Sequence, residues 1–363
     1  MIIVDAHEDL AWNALTFGRD YLSPVEATRA RERGTPIPER NKGQAMIGHP
    51  EWVEGRVAVV FSTLFASPIE RQEGDWDTQV YHDVESASAC YRANLDYYQR
   101  LFTDHPESLC PVRSRTDLEA LRKAWESDFD QPPPVGLVML MEGADGIREP
   151  DELGWWYDAG LRILGPAWSR TRYAGGTGAP GPLTDLGRAL LRSMSEYGMV
   201  LDLSHLSQEG VLEALERYQG PIIASHISPL ELVPNAAKPE RHFTREIIRL
   251  CAERGVVMGL VLANDFLKDG WVYGQDRAVV TLQDVVQAMD DICQSLGESR
   301  WVGIGSDFDG GFGLESVPAG LDSVADLRLI GDALGEAGYP AADVQAILGG
   351  NWLRMLDESL PES

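Results

Sequence analysis

Six residues with side chains of metal-binding type each lie at or near the end of a short apolar run of this chain. His7 and Asp9 stand two apart in IIVDAHEDL, Glu142 follows VGLVML-Met141, His205 ends GMVLDLSH, His226 ends PIIASH and Asp307 ends VGIGSD. Imidazole nitrogen and carboxylate oxygen together suit zinc and neighbouring divalent metals. Residues i and i+2 on a strand point the same way, so His7 and Asp9 can grip one ion. His205 and His226 close successive runs and can grip a second. Glu142 can bridge the two, and Asp307 is left to move protons. A water shared by two metals ionises easily and becomes a nucleophile, and a nearby carboxylate can carry its proton to a leaving group. Such a set therefore points to two-metal hydrolysis. The bland alternatives are real: a lone histidine at a strand end is usually a satisfied core or loop residue, and Asp9, Glu142 and Asp307 could be caps or turn residues. Asp309, in DFDGG, reads best as turn chemistry.

The elements that must position these groups are legible as periodicity. Eight apolar runs (residues 2–5, 57–65, 135–141, 161–167, 199–204, 222–225, 256–262 and 302–306) have the near-continuous apolar character of strands buried on both faces. Between several of them lie helical patterns: TDLGRALLRSMSEYG stopping at Gly198, SQEGVLEALERYQG with Ser207 as N-cap and Gly220 as its end, TREIIRLCAERG, and TLQDVVQAMDDICQSLG. Strand–helix alternation of this kind predicts βαβ units, and eight of them predict a closed (β/α)8 TIM barrel, with an open parallel sheet as the alternative. In a barrel the strand ends meet at one mouth, where ligands far apart in sequence converge. The expectation is one domain over residues 1–363, with elaborations at about 10–56 and 67–133.

Composition narrows the partners. With 57 acidic and 31 basic residues the net charge is −26, which repels nucleic acid and anionic membranes. No run approaches the ~20 apolar residues of a membrane helix. Cys90, Cys110, Cys251 and Cys293 have no metal or disulfide-framework spacing, and no leader pattern precedes the first strand, so a cytoplasmic protein is expected. Lysine occurs only at 42, 123, 238 and 268, none at a strand end, so a carbamylated lysine cannot bridge two metals here and Glu142 must.

Taken together, DAHEDL, MEGADG, LTDLGRALLRSMSEYGMVLDLSHLS, IIASHISP, VGIGSDFDGG and ILGGNWLRML resemble the motifs of the renal (membrane) dipeptidases, peptidase family M19 of the amidohydrolase superfamily, in family order from residue 2 to about 356. The resemblance implies a (β/α)8 barrel with two Zn2+ per chain: His7 and Asp9 on the first, Glu142 bridging, His205 and His226 on the second. Asp307 would act on the bridging hydroxide and the departing amine. It also implies hydrolysis of L-L or L-D dipeptides, a free-carboxylate substrate paired with Arg241, and a homodimer. Arg241 could equally be an ordinary loop arginine. Three positions depart from the family: Trp168 replaces a histidine that contacts the scissile carbonyl, His242 replaces a common asparagine, and Leu262 replaces a common tyrosine. Indole N–H is a donor only, so Trp168 could support an oxyanion but take no proton or metal. Arg170 and Arg172 could add anion contacts or simply be solvated. These departures leave two alternatives to a dipeptidase: a related amidohydrolase acting on an N-acyl amino acid or lactam, and a catalytically silent barrel used for binding.

Overall fold

The computed structural model describes residues 1–126 and 131–363. The eight apolar runs form eight parallel strands, β1 (Ile3–Glu8), β2 (Val57–Phe65), β3 (Val135–Glu142), β4 (Leu161–Gly165), β5 (Val200–Asp202), β6 (Ile222–Ile227), β7 (Val257–Leu260) and β8 (Val302–Ile304). Each pairs with the next, and β8 returns to β1, closing a barrel. Every residue of β1, β2, β3 and β6 is buried, which is why these stretches carry apolar residues on both faces of the strand.

Closure is uneven around the ring. β2 and β3 pair continuously from Val59↔Gly136 to Phe65↔Glu142. β8 and β1 share a single register pair, Asp5↔Ile304. Side chains and loop backbone reinforce that seam: the Asp5 carboxylate accepts from Ser306 N at 2.7 Å and from the Ser306 hydroxyl, and Asp307 N donates to His7 O at 3.2 Å.

The helices follow the expected pattern. Asp185–Glu196 starts at Thr184, whose hydroxyl accepts from Gly187 N, and buries Leu190, Leu191 and Met194 against the barrel. Leu282–Leu296 opens on a Thr281/Asp284 capping box and ends at Gly297 in the left-handed region, where a side chain would be strained. Two details differ from the sequence reading. The helix after β5 spans Gln208–Arg217 and stops short of Gly220. Ser207 does occupy its N-cap position, but the hydroxyl makes no cap bond and donates instead to Gly181 O at 2.6 Å, because a hairpin passes close by.

The elaborations brace the mouth. Within residues 67–133 the helix Val84–Asp104 sends Tyr91 to the Glu142 carbonyl (2.7 Å), Asn94 to Phe65 N (3.2 Å) and Tyr98 to the Thr63 carbonyl (2.9 Å), tying down the ends of β2 and β3. A short strand at Leu109–Pro111, not anticipated, pairs with the first residues of β3 before β4 takes that edge at Met139. Also unanticipated is an antiparallel hairpin, Ala174–Gly176 with Ala179–Leu183, in the loop after β4. Among the described residues no helix is long and apolar enough to cross a membrane.

Candidate metal centre

The six metal-type residues converge at one end of the barrel. His7 lies within β1 and His226 within β6, Glu142 is the last residue of β3, and Asp9, His205 and Asp307 sit just beyond their strands. Three overlapping groups have all their candidate ligand atoms within 4.8 Å of one another: His7–Asp9–Glu142, Glu142–His205–His226 and His7–His226–Asp307. Glu142 is the hub. Its Oε1 lies 3.0 Å from His205 Nε2, 3.4 Å from His226 Nε2 and 3.6 Å from His7 Nε2. His7 Nε2 also lies 3.8 Å from both Asp9 and Asp307.

The backbone is held in uncommon conformations to achieve this. His205 and Asp307 have φ of 64° and 59°, left-handed values that a non-glycine residue seldom adopts. Gly259 on β7 and Gly305 after β8 let those strands press on the Ser225 carbonyl, where a Cβ at either position would collide with it. That close approach seats His226 deep in the barrel.

Arg241 supplies the pocket's nearby positive charge, and burial governs how its ligand-type groups titrate. Burial, reinforced by the Arg241 guanidinium, pushes His7 down to about 3, and burial holds His205 and His226 well below the ordinary imidazole value. Each ring is thereby held toward its neutral form, the form that ligates metals. Burial raises Asp9 to about 6 and lifts Glu142 and Asp307 well above the carboxylate range, with Asp9 adding like-charge repulsion to both. Thr63 offsets part of this by donating its hydroxyl to Asp9.

The His226 tautomer follows from its outer hydrogen bonds. Ser225 Oγ donates to Asp202 Oδ2 at 2.5 Å, so it faces His226 Nδ1, 2.8 Å away, as an acceptor. His226 therefore carries its proton on Nδ1 and presents an Nε2 lone pair inward. His205 Nδ1 lies 2.9 Å from Thr177 Oγ1. The two Nε2 atoms face each other at 2.9 Å, and His7 Nε2 has no hydrogen-bond partner although fully buried. Converging imidazole nitrogens beside carboxylates that resist ionisation are the donor set a divalent cation completes.

The remaining sequence candidates fall in two groups. Arg241 is 4% exposed, donates to His226 O at 3.0 Å, and keeps Nη1 without a partner, so it is not an ordinary solvated loop arginine. Trp168 is half-buried, 6.2 Å from the His205 ring and edge-on to Phe65 at 5.0 Å. His242 is buried against Phe266, and Leu262 lies in the core. Arg172 spends its guanidinium on the Ile147 and Arg148 carbonyls (3.0 and 2.6 Å), and Arg170 reaches the Pro180 carbonyl at 3.1 Å. Both are therefore engaged in holding loops. Asp309 is fully buried, binding Arg19 (3.1 Å) and Met46 N (3.0 Å), so it is a structural anchor rather than a simple turn residue.

Sequence reasoning missed the supporting shell. Asp202 had a signal, since a charge inside the apolar run GMVLDLSH must be partnered. Ser225 and Thr63 had only their nearness to strand ends, and Thr177 had none.

Comparison with known proteins places this geometry in context. The sequence profile of the membrane dipeptidase family (peptidase family M19) matches residues 1–360. A Klebsiella pneumoniae protein of the pqqA 5′ region is 30% identical over 232 residues, 61% of this chain and 81% of that one. Dipeptidase tcpJ of Claviceps purpurea is 25% identical over 315 residues, 84% of this chain and 67% of its own. A Rhodobacter sphaeroides metallopeptidase, solved with a phosphinate mimic of the dipeptide L-Ala-D-Ala, superposes with a TM-score of 0.78 at 22% identity, covering 99% of both chains.

Proposed function

Since the chain belongs to the membrane dipeptidase family, peptidase family M19, and is by that membership a metallopeptidase, we propose that it is a binuclear zinc dipeptidase that hydrolyses L-L or L-D dipeptides. One observation carries this reading: a single Glu142 oxygen faces the Nε2 atoms of His205, His226 and His7 at 3.0, 3.4 and 3.6 Å. His7 and Asp9 would hold one ion, His205 and His226 the other, and Glu142 both. When bound, zinc would polarise the amide carbonyl and make water acidic enough to act as nucleophile.

The chain's own residues would do the rest. Asp307 is positioned beside His7 with its side chain partly open to the mouth. In this reading it takes the proton from the attacking water and delivers it to the leaving nitrogen. Arg241 offers its free Nη1 to the substrate's carboxylate, a charge-assisted contact selective for a free C-terminus. Trp168 can present its indole N–H beside the reacting carbonyl. The dipeptide mimic bound to the Rhodobacter sphaeroides relative supports a dipeptide-like ligand. All four cysteines are free, which supports a reducing, cytoplasmic location. The family match over residues 1–360 supports a single functional domain.

The test is a panel of L-L and L-D dipeptides given to zinc-reconstituted protein, with a chelator control and metal counted per chain. Chelator-sensitive cleavage is expected. A protein carrying two metals that cleaves no dipeptide but turns over an N-acyl amino acid or lactam would favour the second reading, which Trp168, His242 and Leu262 motivate.

A further inference from the structure

The hairpin after β4 is anchored more thoroughly than a solvent loop requires. Its tip is Thr177–Gly178. Thr177 N donates to the Trp168 carbonyl at 2.9 Å. Gly178 N donates to Glu240 Oε1 at 2.7 Å, and Arg71 Nη2 donates to the Gly178 carbonyl at 2.8 Å. Gly176 bridges to Leu206, and Gly181 is tied to Ser207 on both its N–H and its carbonyl. Residues from the elaboration after β2, from the loop carrying Arg241 and from the segment after β5 thus grip the tip together. What the clamp delivers is the Thr177 hydroxyl, 2.9 Å from His205 Nδ1.

We propose that Thr177 is a positioning residue for the metal centre, holding the His205 ring and its tautomer so that Nε2 presents a lone pair. The inference rests on His205 being a ligand. A neutral imidazole exchanges its proton between two nitrogens, and only the form protonated on Nδ1 can ligate through Nε2. His226 receives this instruction from Ser225 and Asp202, within the barrel wall. His205 has no such partner in its own strand. It sits past the end of β5 in a left-handed conformation, and its outer nitrogen faces the hairpin. The clamp at Gly178 keeps the hydroxyl there without a neighbouring strand.

The experiment compares Thr177→Val, which removes the hydroxyl at nearly equal size, with Thr177→Ser, which keeps it. Zinc affinity is read by competition with a chromophoric chelator, and labelled histidine reports the hydrogen bond of the His205 Nδ1–H in the zinc-loaded protein. Thr177→Val should weaken one of the two zinc ions about 10–100-fold, the usual cost of losing an outer-shell partner, and leave the other unchanged. Its His205 Nδ1–H should exchange faster with solvent. Thr177→Ser should restore both readouts. Wild-type zinc affinity in Thr177→Val, or equal losses in both variants, would overturn the proposal. His205→Ala tests the premise separately: if that variant still binds two zinc ions at full affinity, the ligand assignment fails and the role of Thr177 falls with it.

Discussion

Ser225→Ala is the most searching perturbation of the centre, because it replaces no metal ligand. Ser225 Oγ donates to Asp202 Oδ2 at 2.5 Å, accepts from His226 Nδ1 at 2.8 Å, and lies 3.5 Å from His7 Nδ1. Alanine deletes all three contacts and opens little space. Asp202 keeps two backbone donors, Ser204 N at 3.0 Å and Ser225 N at 2.9 Å, so the buried carboxylate is not orphaned. Loss of one hydrogen bond to a charged group costs about 1.5–3 kcal/mol, a reduction that a barrel of this size should survive folded. The imidazole loses the acceptor that fixed its proton on Nδ1. An outer-shell loss of about 10–100-fold in zinc affinity corresponds to about 1.4–2.7 kcal/mol. Two measurements separate the effects: thermal unfolding of the metal-free variant reports the fold, and chelator competition reports the site. Full zinc affinity in a variant that has lost stability would refute the tautomer argument and reduce Ser225 to a packing residue.

Other outcomes follow from the same geometry. Glu142→Gln should bind fewer than two zinc ions, yet melt higher than the metal-free parent at pH 7. The parent must bury a carboxyl whose folded pKa is raised by burial and by Asp9 and Asp307; stability is lost as pH rises through that pKa, so the advantage of glutamine should shrink on acidification, as melting curves across pH would show. Asp307→Asn should retain both metals and lose about 10²–10⁴-fold in kcat, the usual worth of a positioned proton carrier; retained turnover would place the proton elsewhere. Zinc uptake should release protons near neutral pH, from carboxyls rather than imidazoles. Asp9 is raised to about 6 and Glu142 is raised well above its ordinary value, whereas His7 is lowered to about 3 and carries no extra proton to give. Calorimetry in buffers of different ionisation heat should show release growing as pH falls from 7 toward 6, and none at all would refute the assignment.

The strands were readable because parallel strands buried on both faces leave unbroken apolar runs, and a ligand set could be read from what stood at their ends. His7, Glu142, His205, His226 and Asp307 needed only that rule to be brought together. The rest depended on partners that no local pattern contains. Ser207 has the right type and place for an N-cap, but the hairpin at Gly181 competes for its hydroxyl. Asp309 precedes a glycine like any turn residue, and only the fold reveals that Arg19 lies against it. The strand Leu109–Pro111 is too short to show a period. Thr177 looks like any loop threonine until the chain around it is folded.

The weakly paired seam between β8 and β1 has a consequence for how the molecule is assembled. His7 and Asp9 precede Asp307 by some 300 residues, while only Asp5↔Ile304 joins their strands by register. Bringing ends so far apart together costs roughly 5 kcal/mol in loop-closure entropy. Ions sharing Glu142 would tie His7 and Asp9 at the first strand to His226 on β6, across that seam, and act as a clasp, stabilising the closed ring in proportion to their occupancy. Zinc would then favour completion of the barrel as well as catalysis, and a chain folding without it would hold the ring open longest where the first and last strands meet.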